Sequence, residues 1–219
     1  MPFADPSPAE PELPLELERL ASVALAHDAS LAEVELVEVQ LADAQARGVS
    51  IKGARLADVD LSGARLEHLA MTHCALSGCN LANMQARGAR LEKLSIEASR
   101  LTGTVFSEAT LSDVTLRGCR VDLASFGFSQ LTRVDFEDCL LVQSDFLDAQ
   151  LERVRFTGCE LTGADFRGAR MRRCEFRRSD LSELQGIAGL RGAAIEWPGI
   201  VELAGALAAE LGIGVLDAD

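Results

Sequence analysis

Large or modest apolar residues stand at every fifth position from Leu31 through Leu181, and this register runs without insertion from Ala29 to Leu184. Smaller residues, mostly apolar, stand two places before these centres. A period of five matches neither the alternation of a strand nor the turn of a helix. A helix would carry the stripe around all its sides, and a flat strand would send alternate centres to opposite faces. A chain that turns a corner every five residues keeps each centre inward. The register therefore predicts a solenoid.

The stretches "ADAQARGVSIKGARLADVDLSGARL" and "CELTGADFRGARM" resemble pentapeptide-repeat proteins, and the resemblance extends over the repeat body. It implies an all-β solenoid, a right-handed quadrilateral parallel β-helix in which four pentads make one coil. The family pattern prefers Asp or Asn just before the centre. Here such residues stand only at Asp60, Asn80, Asp135, Asp145, Asp165 and Asp180, so corner hydrogen bonding is expected to be less uniform.

On a coil of four pentads, positions twenty apart stack. Phe106, Phe126, Phe146 and Phe166 then form one column, and Phe136, Phe156 and Phe176 form another on the opposite side. Ala46, Leu66 and Ala86 continue the first column, which predicts a narrower N-terminal half. The register spans about eight coils, a rod of roughly 35–40 Å at the spacing of adjacent strands.

Three regions follow: an irregular N-terminal segment and cap over 1–28, the β-helix over 29–184, and terminal pentads, a capping α-helix and a short tail over 185–219. Pro198 suits the first helical position, and Ile200, Leu203, Leu207 and Leu211 share one helical face, with Gly212 as the stop. Ile213, Val215 and Leu216 either add a short strand or tuck against the core. Pro2, Pro6, Pro8, Pro11 and Pro14 predict irregular chain at the start. Beyond them, Leu13, Leu17, Leu20 and Ala24 could cap the rod as a helix, or Leu15, Leu17 and alternating Glu residues as a strand.

The formal charge of −13 disfavours direct binding to nucleic acid or an acidic membrane. No apolar run reaches the length of a membrane span, and no basic-then-apolar leader opens the chain. A cytoplasmic location is the expectation. The charge is uneven: residues 31–184 carry 23 acids and 19 bases, and 151–184 reverse sign with eight arginines against six acids.

The register assigns the tempting chemistry to structure. Cys74, Cys79, Cys119, Cys139, Cys159 and Cys174 all stand two places before a centre and are expected to be buried and reduced. His68 and His73 fall at successive corners and are expected on the surface. No Ser–His–acid arrangement, phosphate-gripping glycine loop or zincin His–Glu spacing occurs. The chain is expected to be no enzyme, with no catalytic residue, no cofactor and no metal.

Recognition then falls to outward residues. Leu123, Phe128, Leu140, Val142 and Leu147 occupy positions normally turned to solvent, with Leu123 near Val142 and Phe128 near Leu147. Arg133, Arg153 and Arg173 should stack on one edge, partly paired with acids such as Glu152, Glu175 and Glu183. These residues form the candidate surface for a protein partner or for self-association, a homodimer included. The alternative implied by resemblance to the gyrase-protecting Qnr and MfpA group is a DNA-mimicking protein that binds gyrase and confers topoisomerase or quinolone protection.

Overall fold

The inward register closes on itself because each pentad finds its partner one coil away. Leu91 lies beside Leu111, Leu111 beside Leu131, and Leu151 beside Met171, all in parallel pairings with a twenty-residue offset. The computed structural model describes residues 7–215, and there the chain is a right-handed parallel β-solenoid with a C-terminal α-helical cap.

We number the faces of a coil by their centres, with Leu91, Ile96, Leu101 and Phe106 on faces one to four. Faces one and two are crossed by strands such as Arg90–Glu97, Thr110–Arg117, Gln130–Glu137 and Gln150–Thr157. These strands bend at a left-handed residue between the faces: Lys93, Asp113, Arg133 and Arg153 all have φ between 53 and 56°. Faces three and four are tighter turns; apart from the short Gln45–Arg47 and Arg65–Glu67 ladder on face four, single parallel bridges join them, including Arg120–Leu140–Glu160 and Ser125–Asp145–Asp165.

The Asp and Asn residues before the centre do two different jobs. On faces three and four, Asp60, Asn80, Asp145, Asp165 and Asp180 each accept a hydrogen bond from the backbone N–H two residues on, at 2.8–3.2 Å. Such a bond satisfies the turn locally. Asp135 sits on face two, where the strand continues, and its carboxylate is bonded by Arg155 instead.

The core columns stand as the twenty-residue coil requires. Phe146 stacks on Phe126 at 5.0 Å and on Phe166 at 4.8 Å. Across the core it meets Phe136 and Phe156 edge-on at 6.3 and 5.8 Å. Both arrangements suit the ring quadrupole. Where the fourth-face column shrinks to Ala86, the residue two places earlier is Met84, also buried, which returns part of the missing volume.

At the C-terminal end the offset drops by one: Cys174 pairs with Ala193 and Phe176 with Ile195. A single-turn 3-10 segment, Ile187–Leu190, precedes this strand. It runs so close to the last coil that a Cβ on Gly189 would lie 2.1 Å from the Phe166 carbonyl oxygen. Two short helices follow, α1 (Trp197–Glu202) and α2 (Ala204–Glu210). The expected single apolar face is broken between them. Leu203 is buried and Leu207 half-buried, but Leu211, the cap residue just past the end of α2, is 74% exposed. Ile213 and Val215 are exposed, and Leu216 lies outside the described residues.

At the other end no helix forms over Leu13–Ala24. Glu18–Leu20 is a strand paired with Val34–Leu36. Ahead of it, Ser7–Pro14 runs as a strap along the corner between faces one and two, from the coil of Arg155 back to the coil of Gly53. Pro2 and Pro6 lie outside the described residues.

Candidate interaction surface

The corners of this solenoid demand positive φ, a conformation that suits Gly, Asn and Asp. Among the described non-glycine residues at positive φ, only Leu123 and Phe128 are large and apolar, at φ 58 and 60°. Both are more than half exposed, at 57 and 58%. Neither residue suits its backbone or gains burial there.

The expected neighbours are in place. The Leu123 N–H donates to the Val142 carbonyl at 3.0 Å, and the Phe128 N–H to the Leu147 carbonyl at 2.8 Å. The two pairs frame the fourth face from opposite corners. Between them lies a polar strip in which Ser125 bonds Ser107 and donates to Asp145, both at 3.0 Å. Leu140 belongs to the third face, half-buried between Arg120 and Glu160, so it stands apart from this frame. Gly127, beside Phe128, is buried where Asp145 closes over it: a Cβ there would lie 3.2 Å from Asp145 Oδ2, a crowding that the five-residue count does not reveal.

Arg133, Arg153 and Arg173 occupy equivalent left-handed corners between faces one and two, on the opposite side of the coil. Arg133 grips Asp113 of the preceding coil through two nitrogens, with Nε 2.6 Å from Oδ1. That bond holds the Asp113 carboxyl below its ordinary range. Arg155 holds Asp135 in the same way, although burial outweighs the pairing and pushes the Asp135 carboxyl up. Arg172 pairs with Glu152, and Arg177 with Glu175 at 2.7 Å. The basic stretch is thus laced to acids, many of them one coil away.

The sequence of the repeat body matches family models over most of its length. "Pentapeptide repeats (8 copies)" covers residues 27–63, and "Pentapeptide repeat region" covers 69–146 and 126–185. The chain belongs to the pentapeptide-repeat family. Among solved structures it is similar to HetL from the cyanobacterium Nostoc, a pentapeptide repeat protein involved in heterocyst differentiation regulation. Identity is 18% over 77% of this chain and 87% of that one, with a TM-score of 0.47. It is also similar to QnrB1, a plasmid-mediated fluoroquinolone resistance protein, at 19% identity over 92% of this chain and 100% of that one, with a TM-score of 0.45. A third is a pentapeptide repeat protein of the Arabidopsis thaliana thylakoid lumen, at 23% identity over 52% and 65%, with a TM-score of 0.24. No curated protein matches the chain.

The six cysteines of this pentapeptide-repeat protein are buried free thiols. The Cys119, Cys139 and Cys159 thiols each donate to a backbone carbonyl of the preceding coil at 3.3–3.4 Å. Burial pushes the Cys159 thiol up to about 11, away from nucleophilic chemistry at neutral pH. Among the described residues, no group of three or more His, Cys, Asp or Glu could hold a metal ion. His68 is exposed, but His73 is half-buried, because its Nδ1 accepts the Glu12 N–H of the strap at 2.9 Å.

A hollow of about 340 Å³ lies between the last coil and α1. Its three carboxylates are already engaged: Asp180 accepts the Ser182 N–H at 2.8 Å within its own turn, while across the end of the rod Glu196 accepts the Arg178 N–H at 2.8 Å and Glu202 the Leu181 N–H at 3.0 Å, these two closing the last coil. They stand in for carbonyls that another coil would have supplied.

Proposed function

We propose that this pentapeptide-repeat protein is a noncatalytic scaffold that binds a protein partner across its fourth face. Two apolar anchors, Leu123 with Val142 and Phe128 with Leu147, flank the Ser125–Asp145 strip. The observation that carries this reading is the presence of large, exposed apolar residues at two left-handed corners. Strained backbone positions cluster at functional sites, and aromatic side chains are enriched at protein interfaces. The rigid stacked core supports them without any need for a pocket.

The test compares the full chain with a Phe128→Ser/Leu147→Ser variant by sedimentation and by partner capture from native extract. Association lost with an unchanged melting curve supports the reading; association retained overturns it. The same sedimentation run reads self-association, for which exposed Trp197, Val201 and Leu211 of the cap offer a second surface.

A gyrase-directed role, in which an acidic rod stands in for duplex DNA, draws on the charge of −13. The lacing of arginines to acids leaves less unbalanced charge on the body, so this reading comes second. A supercoiling assay with and without a quinolone tests it; no effect on either would remove it.

A further inference from the structure

The N-terminal strap is built from triplets, Ser7-Pro8-Ala9 and Glu10-Pro11-Glu12, followed by Leu13-Pro14-Leu15. Proline fixes φ near −65° and biases the residue before it toward extended backbone. Most of the strap is therefore pre-set for a polyproline II helix, which repeats every three residues. Its burial has that period from Ser7 to Glu12, where Pro8 is buried and Pro11 half-buried while Ser7, Ala9, Glu10 and Glu12 are exposed; at the last triplet Leu13 joins Pro14 in being half-buried.

The strap also keeps step with the coils. The Ala9 N–H donates to Asp113 Oδ1 at 3.1 Å, and the Glu12 N–H to His73 Nδ1 at 2.9 Å. Asp113 and His73 are equivalent corners two coils apart. Three residues of polyproline II rise about 9.3 Å, and two coils at the spacing of adjacent strands rise about 9.6 Å. One triplet thus spans two coils with its donor returned to the same side. Proline removes donors that would otherwise meet no acceptor on the track. Farther along, Pro14 lies over Gly53, the corner of an earlier coil; a Cβ on Gly53 would come 3.3 Å from Pro14 Cδ.

Charge fits as well. Ser7 Oγ bonds the Arg155 guanidinium at 3.0 Å. The hydrogen bond to Glu137 pushes the Arg117 guanidinium up from its ordinary range, and the charges of Glu97 and of the strap's Glu10 add to the effect.

We propose that the corner line Gly53–His73–Lys93–Asp113 is a docking track for acidic, proline-rich peptides in polyproline II form, and that Ser7–Pro14 occupies it in cis as an exchangeable resident. A partner segment with proline at every third residue would bind by displacing the strap. The track lies on a different corner from the fourth-face frame, so the two sites stand or fall separately.

Leu15 is fully exposed, which makes it a place to cut. A site-specific protease sequence inserted after Leu15 lets the full chain fold before the strap is released and removed. A fluorescein-labelled peptide of residues 7–15 is then titrated by anisotropy. Saturable binding is expected, at least tenfold weaker to the uncut chain, where the resident competes. A glycine inserted between Glu10 and Pro11 of the peptide should weaken binding at least tenfold by breaking the register, and His73→Ala with Asp113→Ala should do the same from the protein side. A folded, strap-free body that ignores the peptide overturns the proposal, as does equal binding of the shifted peptide or indifference to the paired substitution. Should the cut body unfold, the intact chain decides. Unlabelled peptide at about ten times the millimolar effective concentration of a tethered segment must raise amide exchange at Ala9 and Glu12, and no rise overturns the proposal.

Discussion

Asp138 fills the space that a side chain on Gly158 would need: a Cβ built on Gly158 would lie 2.3 Å from Asp138 Oδ1. The two occupy the same corner of successive coils, and Gly158 has φ +66°. The relationship recurs at Asp28 with Gly48, Asp43 with Gly63, Asp58 with Gly78 and Asp148 with Gly168. One corner takes a short polar residue that tolerates the left-handed region, and the next takes glycine beneath it. Gly158→Ala should destabilise the protein by about 1–2 kcal/mol from backbone strain, with crowding added. Asp138→Ala in the same chain should recover the crowding part only. Thermal melts of the two single variants and the double variant measure this coupling.

The cap carboxylates give a second expectation. Removing Glu196 or Glu202 by substitution with Ala leaves the Arg178 or Leu181 N–H without its protein acceptor. Each change should cost roughly 1–2 kcal/mol, reduced where water replaces the carboxylate. The loss should be local. Amide exchange should rise at Arg178 and Leu181 well before it rises at Leu131 or Phe136.

Ser144 points the other way. Its hydroxyl is buried without a hydrogen-bond partner, while the equivalent positions in adjacent coils are Ala124 and Ala164. Ser144→Ala removes an unsatisfied group without opening a sizeable cavity. It should stabilise the chain by about 1 kcal/mol, read as a higher midpoint in denaturant with an unchanged slope.

The buried thiols set an alkaline limit. Burial raises Cys159 and Cys174 from an ordinary 9.0 to about 11. Between those values the folded state binds more protons than the unfolded one, so stability falls as pH rises. Their contribution is fully present below about 9 and is lost as pH climbs through 11, by roughly 1–3 kcal/mol per thiol. Denaturant melts from pH 7 to 11 should show a plateau and then a decline, and Cys159→Ala/Cys174→Ala should flatten the decline.

Much of the body was legible because its contacts repeat. Leu31 through Leu181 declare the inward face, and the phenylalanines twenty apart declare the coil. The outward exposure of Leu123 and Phe128 followed from the same count. Leu211 differs: its helical spacing points inward, but α2 ends at Glu210 and leaves it in solvent. The same count sets Arg133 on its corner, but its tie to Asp113, one coil back, depends on side-chain geometry that the twenty-residue offset permits without dictating. His73 passed for a surface residue because its partner lies outside the repeat.

The solenoid, its four-sided coil and the stacking of its core follow from the order of residues, because those interactions recur at a fixed separation and each pentad restates them. The course of the strap and the closure of the cap emerge only in the folded chain. Ala9 meets Asp113 across 104 residues and Glu12 meets His73 across 61. Such bonds form once, between a segment with its own three-residue period and a surface that exists only after the coils have stacked.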